Sequence, residues 1–224
     1  MPANLIKLDS LLSELHPYNA TLVAVSKTKP VEDILEVLNH GHLTFGENYA
    51  QEFIAKQPLL PDTIDWHFIG HLQSNKVKLI APFVNLIHGV ESLKLAREIN
   101  KEAVKSDRKI DILLQVHIAE EETKFGLNYA ETLALVEQIC TSSMEGIHLR
   151  GLMGMASFSE DFNKVRKEFK GLRNLFEEAK SSLNTNHKIY FDTLSMGMSG
   201  DYKIALEEGS TMVRIGSAIF GGRT

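Results

Sequence analysis

The 224-residue chain has one cysteine, Cys140, so no disulfide can form within it, and that usage suits a reducing compartment. Long apolar runs are missing too. No stretch approaches the roughly 20 residues that a membrane span requires, so no membrane association is expected. The first residues, MPANLIKLDSLLSELHP, set Leu5, Leu8, Leu11, Leu12 and Leu15 among charges, which predicts an amphipathic helix rather than a signal peptide. These features together predict a cytoplasmic protein. An excess of positive charge is also lacking. The formal charge is −5, and Lys164, Lys167 and Lys170 alternate with acidic and apolar residues, as on a solvated helix face, so nucleic acid is not expected as a partner. With no repeat, linker or low-complexity tract, residues 1–224 read as one domain.

Short apolar segments alternate with longer helical ones along the whole chain. The apolar segments are TLVAVS (21–26), HLTFG (42–46), WHFIG (66–70), VNLIHGV (84–90), KIDILLQVHIA (109–119), IHLRGLMGMA (147–156), KIYFDTLSM (188–196) and STMVRIGSAIFG (210–221). Each of the first seven is followed by a helical stretch. Continuous apolar runs with helices between them predict parallel strands covered on both faces. An open doubly wound sheet and a closed barrel both satisfy that pattern, and a count of eight favours closure. The expectation is therefore an α/β fold, a single (β/α)8 barrel, with an extra N-terminal helix covering the barrel's N-terminal end.

In either layout, ligands gather where strands end and loops begin. Segment 1 ends in Ser26-Lys27. A lysine there is either an ordinary loop residue or an amine able to form a Schiff base, provided that desolvation or a nearby cation such as Lys29 lowers its pKa. Glycines and hydroxyl residues at 195–200 and 216–217 expose backbone N–H groups after segments 7 and 8, a common place for a phosphate site in barrels. Lysine and phosphate loops together point to a phosphorylated carbonyl compound, either a sugar phosphate or pyridoxal phosphate. Arg214 stands two residues before Gly216, on the same strand face. Facing a pyridine nitrogen, its permanent charge would disfavour protonation there and weaken the ring as an electron sink.

The stretches AVSKTKP (24–30), FGENY (45–49), WHFIG with LQSNK (66–70 and 72–76), EEETKFG (120–126), RGLMGM (150–155), LSMGMSGD (194–201) and GSTMVRIGSAIFG (209–221) occur in an order that resembles the pyridoxal phosphate homeostasis family, relatives of the alanine racemase N-terminal barrel. The resemblance covers nearly the whole chain. It implies pyridoxal 5'-phosphate on Lys27, a phosphate cradle at Gly216 and Ser217 with the Ser195–Met196 region, Arg214 toward the pyridine nitrogen, and Asn48, His67 and Met153 lining the pocket. The sequence departs from the family pattern at His71, where proline is common, at His117, where asparagine is frequent, and at Gly154-Met155. His117 has two readings, an imidazole near the ring or a packed, hydrogen-bonded residue.

The function implied is a carrier that holds the cofactor as a lysine Schiff base and maintains vitamin B6 and amino-acid pools without robust catalysis. Amino acids and, transiently, apoenzymes that require the cofactor are the expected partners. A two-base racemase needs a second acid/base opposite the lysine. Since the sequence stops soon after segment 8, a monomer with an exposed cofactor edge is expected. The alternatives are a weak or specialised racemase, with His117 or Tyr49 as second base, and a Schiff-base aldolase acting on a sugar phosphate.

Overall fold

The computed structural model describes residues 3–119, 125–183 and 190–222. Most of the EEETKFG stretch, the first residues of the seventh apolar segment and the last two residues of the chain lie outside these spans. Eight parallel strands close into a barrel in sequence order: β1 (Thr21–Val25), β2 (Thr44–Glu47), β3 (Asp65–Phe68), β4 (Leu86–Val90), β5 (Ile110–Val116), β6 (Ile147–Gly154), β7 (Thr193–Ser195) and β8 (Met212–Ile215). The pairing of Thr21–Ala24 on β1 with Met212–Ile215 on β8 closes the ring and excludes the open sheet. Segments 7 and 8 were read too long. Only three residues of the former pair, and the latter turns at Gly216 into a short helix.

Helices form the outer layer: α1 (Leu5–Leu15), α2 (Val31–Asn39), α3 (Ala50–Lys56), α4 (Val77–Ile80), α5 (Leu93–Lys105), α6 (Tyr129–Thr141), α7 (Phe162–Ser182), α8 (Tyr202–Glu207) and α9 (Ser217–Phe220). Local chemistry sets their starts. Pro30, with φ −70°, precedes α2, and the Ser92 hydroxyl accepts from the Leu95 N–H at α5. At α6, Asn128 and Glu131 form a reciprocal capping box. Residues of one strand parity, such as Leu22, Ala24, Phe45, Trp66 and Phe68, join the core between sheet and helices. The other parity fills the barrel. There Val23, Leu86, Leu113, Met153 and Met212 form a separate apolar group, with Ile69 and Met155 packed on it.

The N-terminal helix does not cover the N-terminal end of the barrel. It lies on the flank, where Leu8, Leu11 and Leu15 are buried. Its Glu14 accepts from Tyr202 Oη on α8 at 2.7 Å, and its Asp9 meets His40 Nε2, just after α2, at 2.8 Å. The Asn4 N–H bonds to Ile219 O on α9. That is the place of the eighth outer helix in a complete ring. With only four residues, α9 cannot fill it, and α1 supplies the missing apolar cover. Each of the three leucines contributes on the order of 1.5–3 kcal/mol of burial.

Candidate functional site

A cleft of about 250 Å³ opens at the C-terminal mouth of the barrel, between β1 and β8. This lies below the usual range of about 300–1,000 Å³ for ligand pockets, so it suits one small compound rather than a dinucleotide. Lys27 lines it, continuing the inward parity of Val23 and Val25 past the end of β1. The next residue, Thr28, has φ +62°, a costly conformation for a β-branched side chain. A charged cluster behind the sheet secures this turn. The Glu52 carboxylate accepts from the Thr28 N–H at 2.5 Å, and Lys56 Nζ bonds Ser26 O at 2.9 Å, Glu47 Oε1 at 2.8 Å and Glu52 Oε1 at 2.5 Å. Ser26 Oγ donates to the same Glu47 oxygen at 2.6 Å. Glu47 is fully buried, and desolvation raises its pKa although Lys56 and Ser26 oppose the shift.

Across the cleft stand Arg214, Gly216 and Ser217 of the β8 end, with Met198 and Ser199 of the loop after β7. The two loops meet, since Ser217 Oγ bonds Ser199 Oγ at 3.1 Å. Gly197 has φ +97° and accepts the Arg214 N–H through its carbonyl, so glycine suits this turn. Arg214 is 4% exposed, with Nη1 donating to Ser195 Oγ at 2.6 Å and Nη2 to Gly154 O at 3.0 Å. Desolvation draws its pKa down to about 10, while Asp201 pulls the other way, so the guanidinium stays cationic at neutral pH. Asn48 also lines the cleft, and its Oδ1 is buried with no hydrogen-bond partner among the described residues. A bound group, or a turned-over amide meeting one, would complete it.

Five of the nine expected site residues thus border one cleft: Lys27, Asn48, Arg214, Gly216 and Ser217. The others lie elsewhere. Met153 faces inward but belongs to the apolar layer beneath, and Met155 takes the lining position. His67 is buried lower in the barrel and bonds Asp65 and His88. Ser195 is buried and accepts from Arg214 Nη1, and Met196 points outward into the helix-facing core. Of the two second-base candidates, His117 lines a separate groove with Tyr129, Lys164 and Gly171, and Tyr49 is 52% exposed at the start of α3. Lys29 borders the cleft with Nζ on Gly222 O at 2.9 Å.

The chain matches the alanine racemase N-terminal domain family over residues 4–224. It is 42% identical over 212 residues to the pyridoxal phosphate homeostasis protein of Vibrio alginolyticus, covering 92% of this chain and 88% of that protein. The human protein of the same name is 43% identical over 215 residues, 90% of this chain and 76% of that protein. The chain belongs to the pyridoxal phosphate homeostasis family. PipY of Synechococcus elongatus, a solved structure with pyridoxal phosphate bound, superposes with a TM-score of 0.85 at 33% identity, covering 96% of this chain and 98% of that one. The family is named for homeostasis of a cofactor and not for a catalysed reaction.

The cleft suits the compound that gives the homeostasis family its name. An aldehyde asks for an amine, a ring nitrogen for a fixed charge or donor, and a phosphate for clustered N–H and O–H groups. Lys27, Arg214 and the Ser199–Ser217 pair provide these around a single cavity. Glu47 and His88 stand at strand ends in the sequence, but their partners, Glu52 and Lys56 for the first and His67 and Ser195 for the second, were not legible there. A lysine four residues after Glu52 on a helix carries no pattern that distinguishes it from a solvated one.

Proposed function

We propose that the chain carries pyridoxal 5'-phosphate bound covalently through Lys27 and buffers vitamin B6 and amino-acid pools without robust turnover. The observation that carries this reading is the placement of Arg214. A donor-only, fully charged side chain, desolvated in the barrel wall, shares the cleft with Lys27. When bound, the cofactor supplies a carbonyl that condenses with amines and a ring that accepts electron density. Arg214 faces the ring nitrogen and keeps it unprotonated, which limits that second capacity. Gly216, Ser217 and Ser199 hold the phosphate by backbone and hydroxyl groups. Asn48 contacts the ring, and Met155 and Ile69 form its apolar floor. Amino acids exchange at the open edge, and apoenzymes receive the cofactor in transient contacts.

A racemase would need a second acid/base across the ring from Lys27. His117 and Tyr49 are not positioned in the cleft, which weighs toward the carrier. The test is a visible spectrum of the purified protein, followed by borohydride reduction and peptide mapping. A yellow protein with the reduced cofactor on Lys27 is the expected result. A colourless protein that takes up no added pyridoxal phosphate overturns the reading. Trapping of Lys27 only with a sugar phosphate would make it an aldolase, and stereospecific α-proton exchange a racemase.

A further inference from the structure

Behind Arg214, a line of side chains crosses the barrel interior to its opposite mouth. Ser195 Oγ lies 3.1 Å from His88 Nδ1, His88 Nε2 lies 3.2 Å from His67 Nδ1, and His67 Nε2 lies 3.2 Å from Asp65 Oδ2. Four strands contribute, β7, β4, β3 and β8. His88, Ser195, His67 and Arg214 are each 0–4% exposed. Asp65 borders a cavity at the N-terminal mouth, with Asp111, Arg150 and Asn85. We propose that Ser195, His88, His67 and Asp65 form a one-directional hydrogen-bond relay that positions Arg214 and couples the cofactor cleft to the far mouth of the barrel.

The two ends set the direction. Arg214 can only donate, and an ionised Asp65 can only accept. With both imidazoles neutral, one assignment satisfies every contact. Arg214 donates to Ser195, the Ser195 hydroxyl to His88 Nδ1, His88 Nε2–H to His67 Nδ1, and His67 Nε2–H to Asp65. The reverse assignment turns a bare His67 Nε2 toward a carboxylate, or requires an imidazolium. Burial, reinforced by the positive charge of Arg214, holds His88 well below the ordinary histidine pKa, in keeping with a neutral ring. Desolvation raises the pKa of Asp65, but hydrogen bonds from His67, Asn85 and Thr44 outweigh it and keep the carboxylate ionised at neutral pH. The charged groups facing this line are Arg214 on β8, Asp65 on β3, and Asp111 on β5 paired with Arg150 on β6.

The link to the cofactor rests on the function proposed above; the relay itself does not. The first experiment therefore uses the full-length protein without cofactor, labelled with ¹⁵N-histidine, and reads tautomers from nitrogen shifts and couplings at neutral pH. His67→Gln and His88→Gln assign the signals. Both rings are expected neutral with the proton on Nε2. A proton on Nδ1 of either ring, or a charged His88, overturns the relay. The second experiment reads the pH midpoint of the visible band after loading with pyridoxal phosphate. Asp65→Asn should move it by about half a pH unit or more. Thr44→Val, which removes another contact of the same carboxylate, should leave it in place. Equal midpoints in the parent and Asp65→Asn overturn the coupling. A protein that binds no cofactor sinks the functional reading alone, and the tautomers still decide the relay.

Discussion

Replacing Lys56 with methionine should expose how much the turn that presents Lys27 depends on charge. The ammonium is buried, and it compensates a Glu47 carboxylate with no exposure at all. Removing one partner of such a pair costs about 3–5 kcal/mol, because the remaining charge stays desolvated and unpaired. At about 2–4 °C per kcal/mol for a chain of this size, the melting temperature should fall by roughly 6–20 °C. With an m-value of about 2.5–3 kcal/mol/M, the urea midpoint should drop by about 1–2 M. The pH response has a definite sign. Burial already raises the Glu47 pKa, and loss of Lys56 removes an opposing influence, so the folded variant binds a proton above the unfolded value. Its deficit should therefore shrink as pH falls toward 4.5. Adding Glu47→Gln should recover much of the loss, since Glu52 still reaches solvent. A urea midpoint lowered by less than about 0.3 M, or a double variant no better than the single, would refute the argument.

Three further outcomes follow from other parts of the molecule. Gly216→Val should lower stability as well as cofactor affinity, because a Cβ there would sit 2.8 Å from Val25 O; the overpacking cost is about 1–3 kcal/mol, read by denaturation without cofactor. Leu11→Ala should cost about 2–5 kcal/mol if α1 serves as the eighth outer helix, whereas a dispensable N-terminal arm would lose almost nothing. Acid titration should lower stability progressively below pH 6.5, where the unfolded chain protonates His88 and the folded chain does not, with a further loss from 3.8 down to about 2 as Asp65 is neutralised; His88→Gln should flatten the first limb.

Much of this architecture was legible along the chain, and the failures have identifiable causes. Apolar runs counted strands correctly because a parallel strand buried on both faces is continuous in composition. The same continuity overran β7 at its front, where Tyr190 and Phe191 precede the paired residues, and β8 at its end, where GSAIFG stays apolar or small after pairing stops. Met153 was misplaced relative to Met155 because composition gives face but not depth. β6 adds a hidden difficulty: between Ile112 and Leu113 its register shifts, leaving Arg150 as an extra residue and reversing the alternation beyond it. His88 was visible near the end of segment 4, yet no local signal separates a relay imidazole from a packed one.

Sequence alone determined which groups are available and what each can do: an amine at the end of β1, glycine and serine after β7 and β8, and a guanidinium on the inward face of β8. Those are properties of residue type and strand parity, and both are local. Closure of the barrel decided which groups meet. It brings β8 beside β1, so that Arg214 shares a cleft with Lys27 from the other end of the chain. It also aligns Ser195, His88, His67 and Asp65 across an interior that no window of sequence contains. Hydrogen bonds demand positions within a few tenths of an ångström, and only the packed barrel sets distances of that kind between residues 107 apart.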